Sequence, residues 1–411
     1  MARNLDDLYV SPMQNPDDES KEVLRLVRQW AEKEIIAKRM EFREGYDALF
    51  DVQWLKVSSD LGLGRLTLAR DRGGFGWNQP DRAPDLLSTV IEIGRADASL
   101  GLLASGAWIP HLLVQEGTDV PEQLPPSSSH IEGGAPLVSF ILPGSGLKGE
   151  QTPLFLGRPI RALAVKGAAG HRLTGNALRP LWSGARADAY CVVCADEDGE
   201  PLVAVVPRNT PGVETGPPVK TTGLNACTNA DVTFRDVLLK DGDIIRGRHA
   251  VRKLFVWLDL LAAGACAGAC ANFFEILADW SDNRVIKGGT TLKENPLCAS
   301  VLADVAQETA LAKLLLFDLA GMAAGPGSLE HSQIERTFTY AGLISCRVME
   351  GLVRAANRGL ELMGSAGYAK EWHVEKHWRD IKTVQSILAG AASNVPAAMD
   401  AARFFYGCTT I

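Results

Sequence analysis

The strongest constraint on the fold is a change in hydrophobic period along the chain, from helical to alternating and back to helical. From residue 17 to about 130, apolar residues recur at spacings of three and four, as in Val23, Leu26, Val27, Trp30, Ala31 and Ile35 and again in Leu86, Leu87, Val90, Ile91 and Ile93. Glycines interrupt this block at Leu61-Gly62-Leu63-Gly64 and at Gly73-Gly74-Phe75-Gly76, where a turn or a close backbone approach is expected. The stretch PEQLPPSSSHIEGGAP then marks a boundary. From about Leu137 to Arg246 the period becomes two, in short β-branched runs such as PLVSFIL, DAYCVVC and ADVTFRDVLL separated by Gly, Pro and Asp. From about Arg252 the helical period returns and runs nearly to the end, with Ala263, Gly264, Ala267, Gly268 and Ala271 giving one helix a face that allows close approach. These blocks predict an α+β multidomain chain: an N-terminal helical domain over 1–132, a central β domain over 133–246 and a C-terminal four-helix bundle over 247–411.

At 411 residues and 46% hydrophobic, the chain can bury the cores of two or three domains. Its net charge of -7 offers no basic field for a phosphate backbone, so nucleic acid is not an expected partner. The eight cysteines are too scattered for a disulfide framework, and Cys266, Cys270, Cys298 and Cys346 sit in helical text, which fits a reducing compartment. The first residues contain no apolar leader, and no window reaches 18 apolar residues without a glycine or a charge. A cytoplasmic protein without a membrane span is the expectation. The terminal Cys408-Thr409-Thr410-Ile411 lacks the aliphatic middle of a prenylation box.

Several short motifs invite chemistry and resolve to packing. Gly144-Ser145-Gly146-Leu147-Lys148-Gly149 fits G-x-G-x-x-G, but a dinucleotide loop must open a helix, and the text continues EQTPLFLGRPI with two prolines. We read it as a turn able to border a cofactor. Cys191 and Cys194 lie three apart in strand text, so alternation puts them on opposite faces and argues against metal. Cys266 and Cys270 share a helix face without a His or carboxylate at useful spacing. His373 and His377, four apart in KEWHVEKHWRD, lack the H-E-x-x-H order, and a turn entering a helix is the preferred reading. No metal is expected.

Longer stretches resemble the acyl-CoA dehydrogenase family. GLGRLTLARDRGGFGW and IEIGRADASLGLL resemble two passages of its N-terminal half, and LELMGSAGYAKEWHVEKHWRDIKTVQSILAG resembles its C-terminal signature. In that last stretch Gly364, Gly367, Tyr368, Val374, Glu375, Arg379, Asp380, Lys382, Ile387 and Gly390 fall in register. The resemblance implies FAD held between the β domain and the bundle, and an acyl thioester, on CoA or a carrier protein, as substrate. A carboxylate would remove the α-proton while the β-hydrogen leaves as hydride. It also implies a homodimer or homotetramer, with a heteromer as a variant, and an electron acceptor flavoprotein as a possible partner.

This chain departs from the family pattern at several of those positions. The usual catalytic glutamate corresponds to Ala389, which cannot accept a proton. The alternate base position on the first bundle helix leads to Asp259, one residue beyond the register, or about 100° around the helix; a carboxylate paired across a subunit contact is the competing reading. The flavin-contact positions map to Leu142, Gly144 and Ser145 at one strand end and to Trp182 and Ser183 at another. Arg284, Glu361, Gly364 and Ser365 map to the part that reaches FAD from a second subunit. Three functions follow: a thioester dehydrogenase with a relocated base, a silent subunit of a heteromer, or a flavin-dependent oxygenase on the same fold.

Overall fold

The computed structural model describes residues 16–42, 49–113, 136–144, 152–286, 288–330, 333–388 and 391–407, with the side chains of 391–397 left aside. Ser145 and Ala389 therefore lie outside the described residues. Three helices precede the sheet: α1 (Asp18–Trp30), α2 (Ala83–Ala96) and α3 (Ala98–Leu113). Asp17 caps α1, accepting the Ser20 N–H at 2.8 Å. The helical period read onward from Trp30 is not realised as one α-helix. The described chain between Ala31 and Arg82 forms short π and 3-10 turns, and Gly62 and Gly73 sit at φ 69° and 82°, where a side chain is disfavoured.

The strands are β1 (Val138–Ile141), β2 (Leu154–Phe155), β3 (Arg158–Pro159), β4 (Leu163–Gly167), β5 (Gly170–Leu178), β6 (Ala189–Ala195), β7 (Pro201–Pro207), β8 (Val213–Val219), β9 (Asn229–Leu239) and β10 (Ile244–Arg246). The main sheet runs β10-β7-β6-β4-β5-β9-β8, with β1 added beside β6. Its pairings are antiparallel except β1 with β6 and the single contact of β4 with β6. β6 is buried on both faces. Cys191 and Val193 join the core shared with the helices, whereas Tyr190, Val192 and Cys194 fill a second core inside the sheet. The two cysteines thus occupy opposite faces, as alternation requires. Past β1 the described chain resumes as the β2–β3 hairpin, not as a helix.

The C-terminal helices are α4 (Arg248–Asn283), α5 (Pro296–Ala324), α6 (Ile334–Met363), α7 (Val374–Leu388) and α8 (Ala391–Tyr406). α4, about 54 Å long at 1.5 Å per residue, is the central spar. It is long and apolar enough to cross a membrane, yet 94% of its most apolar window is buried within the protein, as in a core helix. Its glycines let backbones touch: a Cβ on Gly268 would lie 2.0 Å from the Ile91 carbonyl oxygen, and one on Gly94 of α2 would lie 2.2 Å from that of Ala265. His373 stands at φ 60° just before α7, so the turn-into-helix reading holds, and among the described residues no metal-holding cluster of His, Cys, Asp and Glu occurs. The His377 ring hydrogen-bonds Asn272 at 3.1 Å, and burial lowers its pKa far below the usual imidazole value.

Candidate active site

α7 fixes one wall of the site through the strap Thr221–Cys227. Asp380 accepts the Leu224 N–H at 2.7 Å, Thr383 accepts the Gly223 N–H at 3.1 Å, and Arg379 donates to the Thr222 carbonyl at 2.6 Å. Gly223 is needed here, because a Cβ would sit 2.3 Å from the Arg379 carbonyl oxygen. Beneath the strap, buried Lys376 bridges Asp97, at the α2–α3 junction, and Asp380. Burial opposes the ammonium, but the two carboxylates outweigh it and hold its pKa above the ordinary lysine value. This buried ion cluster ties all three parts of the chain together.

The strap, the ends of β1 and β5, the β2–β3 hairpin and helices α4, α6, α7 and α8 enclose a cleft of about 660 Å³. Leu142, Gly144 and Trp182 line it. Trp182 is wedged between sheet and helix, edge-on to Phe140 at 5.7 Å, and its Nε1 would lie 3.8 Å from a Cβ on Gly106 of α3. Ser183 is buried beside it at φ 57°, its N–H donating to the Cys227 carbonyl at 3.4 Å.

Asp259 also lines this cleft, with Phe255 on the same helix and Phe338, Ser345 and Cys346 on α6. It is 6% exposed, and burial pushes its carboxyl up to about 7 against the opposing pull of the nearby Ser345 hydroxyl and the Arg158 charge. Ser345 and Arg158 of the same chain lie near enough to act on it. A carboxylate half-ionised near neutral pH is suited to general-base work. Burial also pushes the Cys346 thiol up to about 12, with Asp259 adding to the shift, so Cys346 is an unreactive neighbour.

The remaining mapped residues do not reach this cleft. Arg284 is exposed at the end of α4, its guanidinium 5.7 Å from the Trp280 ring, which in turn meets Trp372 at 4.7 Å. Glu361, Gly364 and Ser365 are exposed at the end of α6 and the turn after it. Together they belong to a surface separate from the cavity. The charged cleft residues Arg158, Arg179 and Asp400 escaped the sequence reading: the place of Arg158 depends on a hairpin turn, and Asp400 is a lone carboxylate in the apolar run AAMDAARFF that could have been flagged.

The cleft is chemically suited to a flavin. Thr221, Asn229, Thr383 and Ser386 line it with neutral polar groups already bonded within the protein, and Gly144 borders open space, with no atom within 4 Å of where a Cβ would stand. Leu142, Gly144, Trp182 and the strap would hold such a ring.

Fold and site define a three-part α+β protein whose cleft, carrying a buried carboxylate, lies between a β domain and a helical bundle. Residues 246–395 match the family model described as acyl-CoA dehydrogenase, C-terminal domain. An acyl-CoA dehydrogenase of Bacillus subtilis (strain 168) is 27% identical over 380 residues, covering 88% of this chain and 92% of the relative. The butyryl-CoA dehydrogenase structure from Megasphaera elsdenii superposes with a TM-score of 0.73 at 17% identity, covering 95% of this chain and 100% of that one. The FAD complex of PigA gives a TM-score of 0.74 at 14% identity over 96% and 99% of the two chains. Residues 246–395 thus carry the acyl-CoA dehydrogenase C-terminal domain, and the chain as a whole is similar to acyl-CoA dehydrogenases in sequence and fold.

Proposed function

We propose that this protein is an FAD-dependent dehydrogenase of acyl thioesters in which Asp259 is the base. The observation that carries this reading is the placement of a buried carboxylate, with its pKa near 7, in the cleft between bundle and β domain. FAD, when bound, supplies the acceptor for the hydride that leaves the β-carbon. Asp259 takes the α-proton, and the Cα–H electron pair becomes the new carbon–carbon double bond of an α,β-unsaturated thioester. The Ser345 hydroxyl lies beside the carboxylate, and Phe255 and Phe338 give its surroundings an apolar wall. A silent subunit would have no use for a base here, so the position of Asp259 favours an active enzyme over that reading.

The thioester is carried by CoA or a carrier protein, and an electron-transferring flavoprotein reoxidises the cofactor. The exposed surface of Arg284, Trp280 and Glu361 to Ser365 is where we place a second copy of the chain, completing a homodimer or homotetramer; a heteromer would use the same surface. The domain limits near 132 and 246 belong to the same proposal.

Asp259→Asn tests the base. Acyl-CoA oxidation with a dye acceptor should fall by ~10² to 10⁴ while the flavin absorbance of the purified protein stays unchanged. In the parent enzyme kcat/KM should rise with pH through about 7, because only ionised Asp259 accepts a proton. Undiminished turnover by the Asn variant would remove Asp259 from the mechanism.

A further inference from the structure

The cleft holds a second charged centre that proton abstraction does not use. Arg158 opens β3, just after the turn Leu156–Gly157, whose φ values of 49° and 81° define a tight hairpin. Phe155 anchors that hairpin, stacked on Phe255 at 5.9 Å and edge-on to Phe338 at 6.1 Å. The Arg158 guanidinium rests 5.5 Å from the centre of the Phe255 ring, with 17% of its side chain exposed. It is thus held against the cleft wall and is not free to extend into bulk water.

Its hydrogen bonds are missing. The nearest carboxylate, Asp400, is 3.7 Å away, beyond hydrogen-bond length, and among the described residues no hydrogen bond reaches the Arg158 side chain. Asp400 is in turn 3.6 Å from Arg403, and its charge is also felt by Arg252, which pairs with Glu335 at 3.2 Å. The buried Nη1 of Arg158 has no hydrogen-bond partner among the described residues, so the guanidinium keeps a donor that an anionic oxygen can accept from. A partly desolvated guanidinium without acceptors carries a free-energy cost that a bound anion would offset with charge-assisted, bidentate hydrogen bonds.

We infer that Arg158 binds an anionic oxygen group carried by the thioester substrate: a carboxylate at the far end of the acyl chain, or a phosphate of the pantetheine arm. This rests on the thioester reading above. It makes Arg158 a specificity-determining residue on the same cavity as Asp259, with Asp400 and Phe255 as its positioning residues.

Calorimetric Kd values on the purified holoenzyme test it without relying on turnover. The probes are pentanoyl-CoA, glutaryl-CoA and the N-acetylcysteamine thioester of pentanoate, which has no phosphate. If the acyl carboxylate is the ligand, Arg158→Gln weakens glutaryl-CoA by about 10- to 100-fold and erases its advantage over pentanoyl-CoA. If a phosphate is the ligand, both CoA thioesters weaken by that factor while the N-acetylcysteamine thioester does not. Equal losses on all three probes, or none, would overturn the inference and leave the thioester reading standing. Failure of the parent protein to bind any probe would remove both. Should Arg158→Gln not fold, Arg158→Lys keeps the charge and loses the fork, and the same comparisons apply with a smaller loss.

Discussion

Asp259 is costly to the fold, and that cost can be measured apart from catalysis. Its carboxyl is raised from 3.8 to about 7 by burial. A raised carboxyl pKa means that the native state binds its proton more tightly than the unfolded chain does. Below pH 3.8 both states are protonated and nothing is lost. As pH rises from there to 7 the unfolded chain ionises first, and stability falls by ~1.36 kcal/mol per unit. The full cost, reached above pH 7, is about 4 kcal/mol for a shift of roughly three units; at pH 5 it is about 2 kcal/mol. Asp259→Asn removes the titration while keeping the shape. The variant should therefore be more stable than its parent, with a gain about 3 kcal/mol larger at pH 8 than at pH 5. Urea unfolding of both proteins at the two pH values reads that difference. A gain independent of pH, or a loss that grows with pH, would show that Asp259 is ionised in the folded protein at little cost and would refute the burial argument. Paired with lost turnover at unchanged flavin content, the expected result describes a group kept for chemistry at the expense of stability.

Two further substitutions probe what positions the site. Lys376→Met leaves Asp97 and Asp380 buried together without their shared cation; breaking such a pair costs about 3–5 kcal/mol, so a sharp fall in melting temperature is expected, and an unchanged one would show that the cluster is not ionised. Gly268→Val should destabilise by about 1–3 kcal/mol or more, because its Cβ meets the Ile91 carbonyl oxygen; Gly321→Ala, exposed on α5 with nothing within 4 Å, should instead stabilise by up to about 1 kcal/mol, and thermal melts of the two must move in opposite directions.

Which features could be read in advance follows from how local their causes are. The alternation that separates Cys191 from Cys194 is a property of one strand, and their assignment to two different cores follows from it. The turn before α7 is equally local, since His373 and the residues before it set the backbone path. The stretch after Trp30 shows the limit: its apolar spacing is helical, yet the chain forms π and 3-10 turns whose only regularity is what they cover, such as buried Trp54 and Trp77. Site residues divide the same way. Leu142, Gly144 and Trp182 reached the cleft because strand ends are fixed by the sheet register, whereas Arg158 depends on an aromatic cluster drawn from β2, α4 and α6. Asp259 is the sharpest case. A one-residue displacement from the family's alternate base position turns a side chain about 100°, which sequence comparison alone reads as a change of face. In the folded protein that position still lies on the cleft, because the β2–β3 hairpin and α6 approach α4 from the side to which Asp259 points. A shift along one helix can thus be absorbed by where its neighbours pack, and that information belongs to no single stretch of the chain.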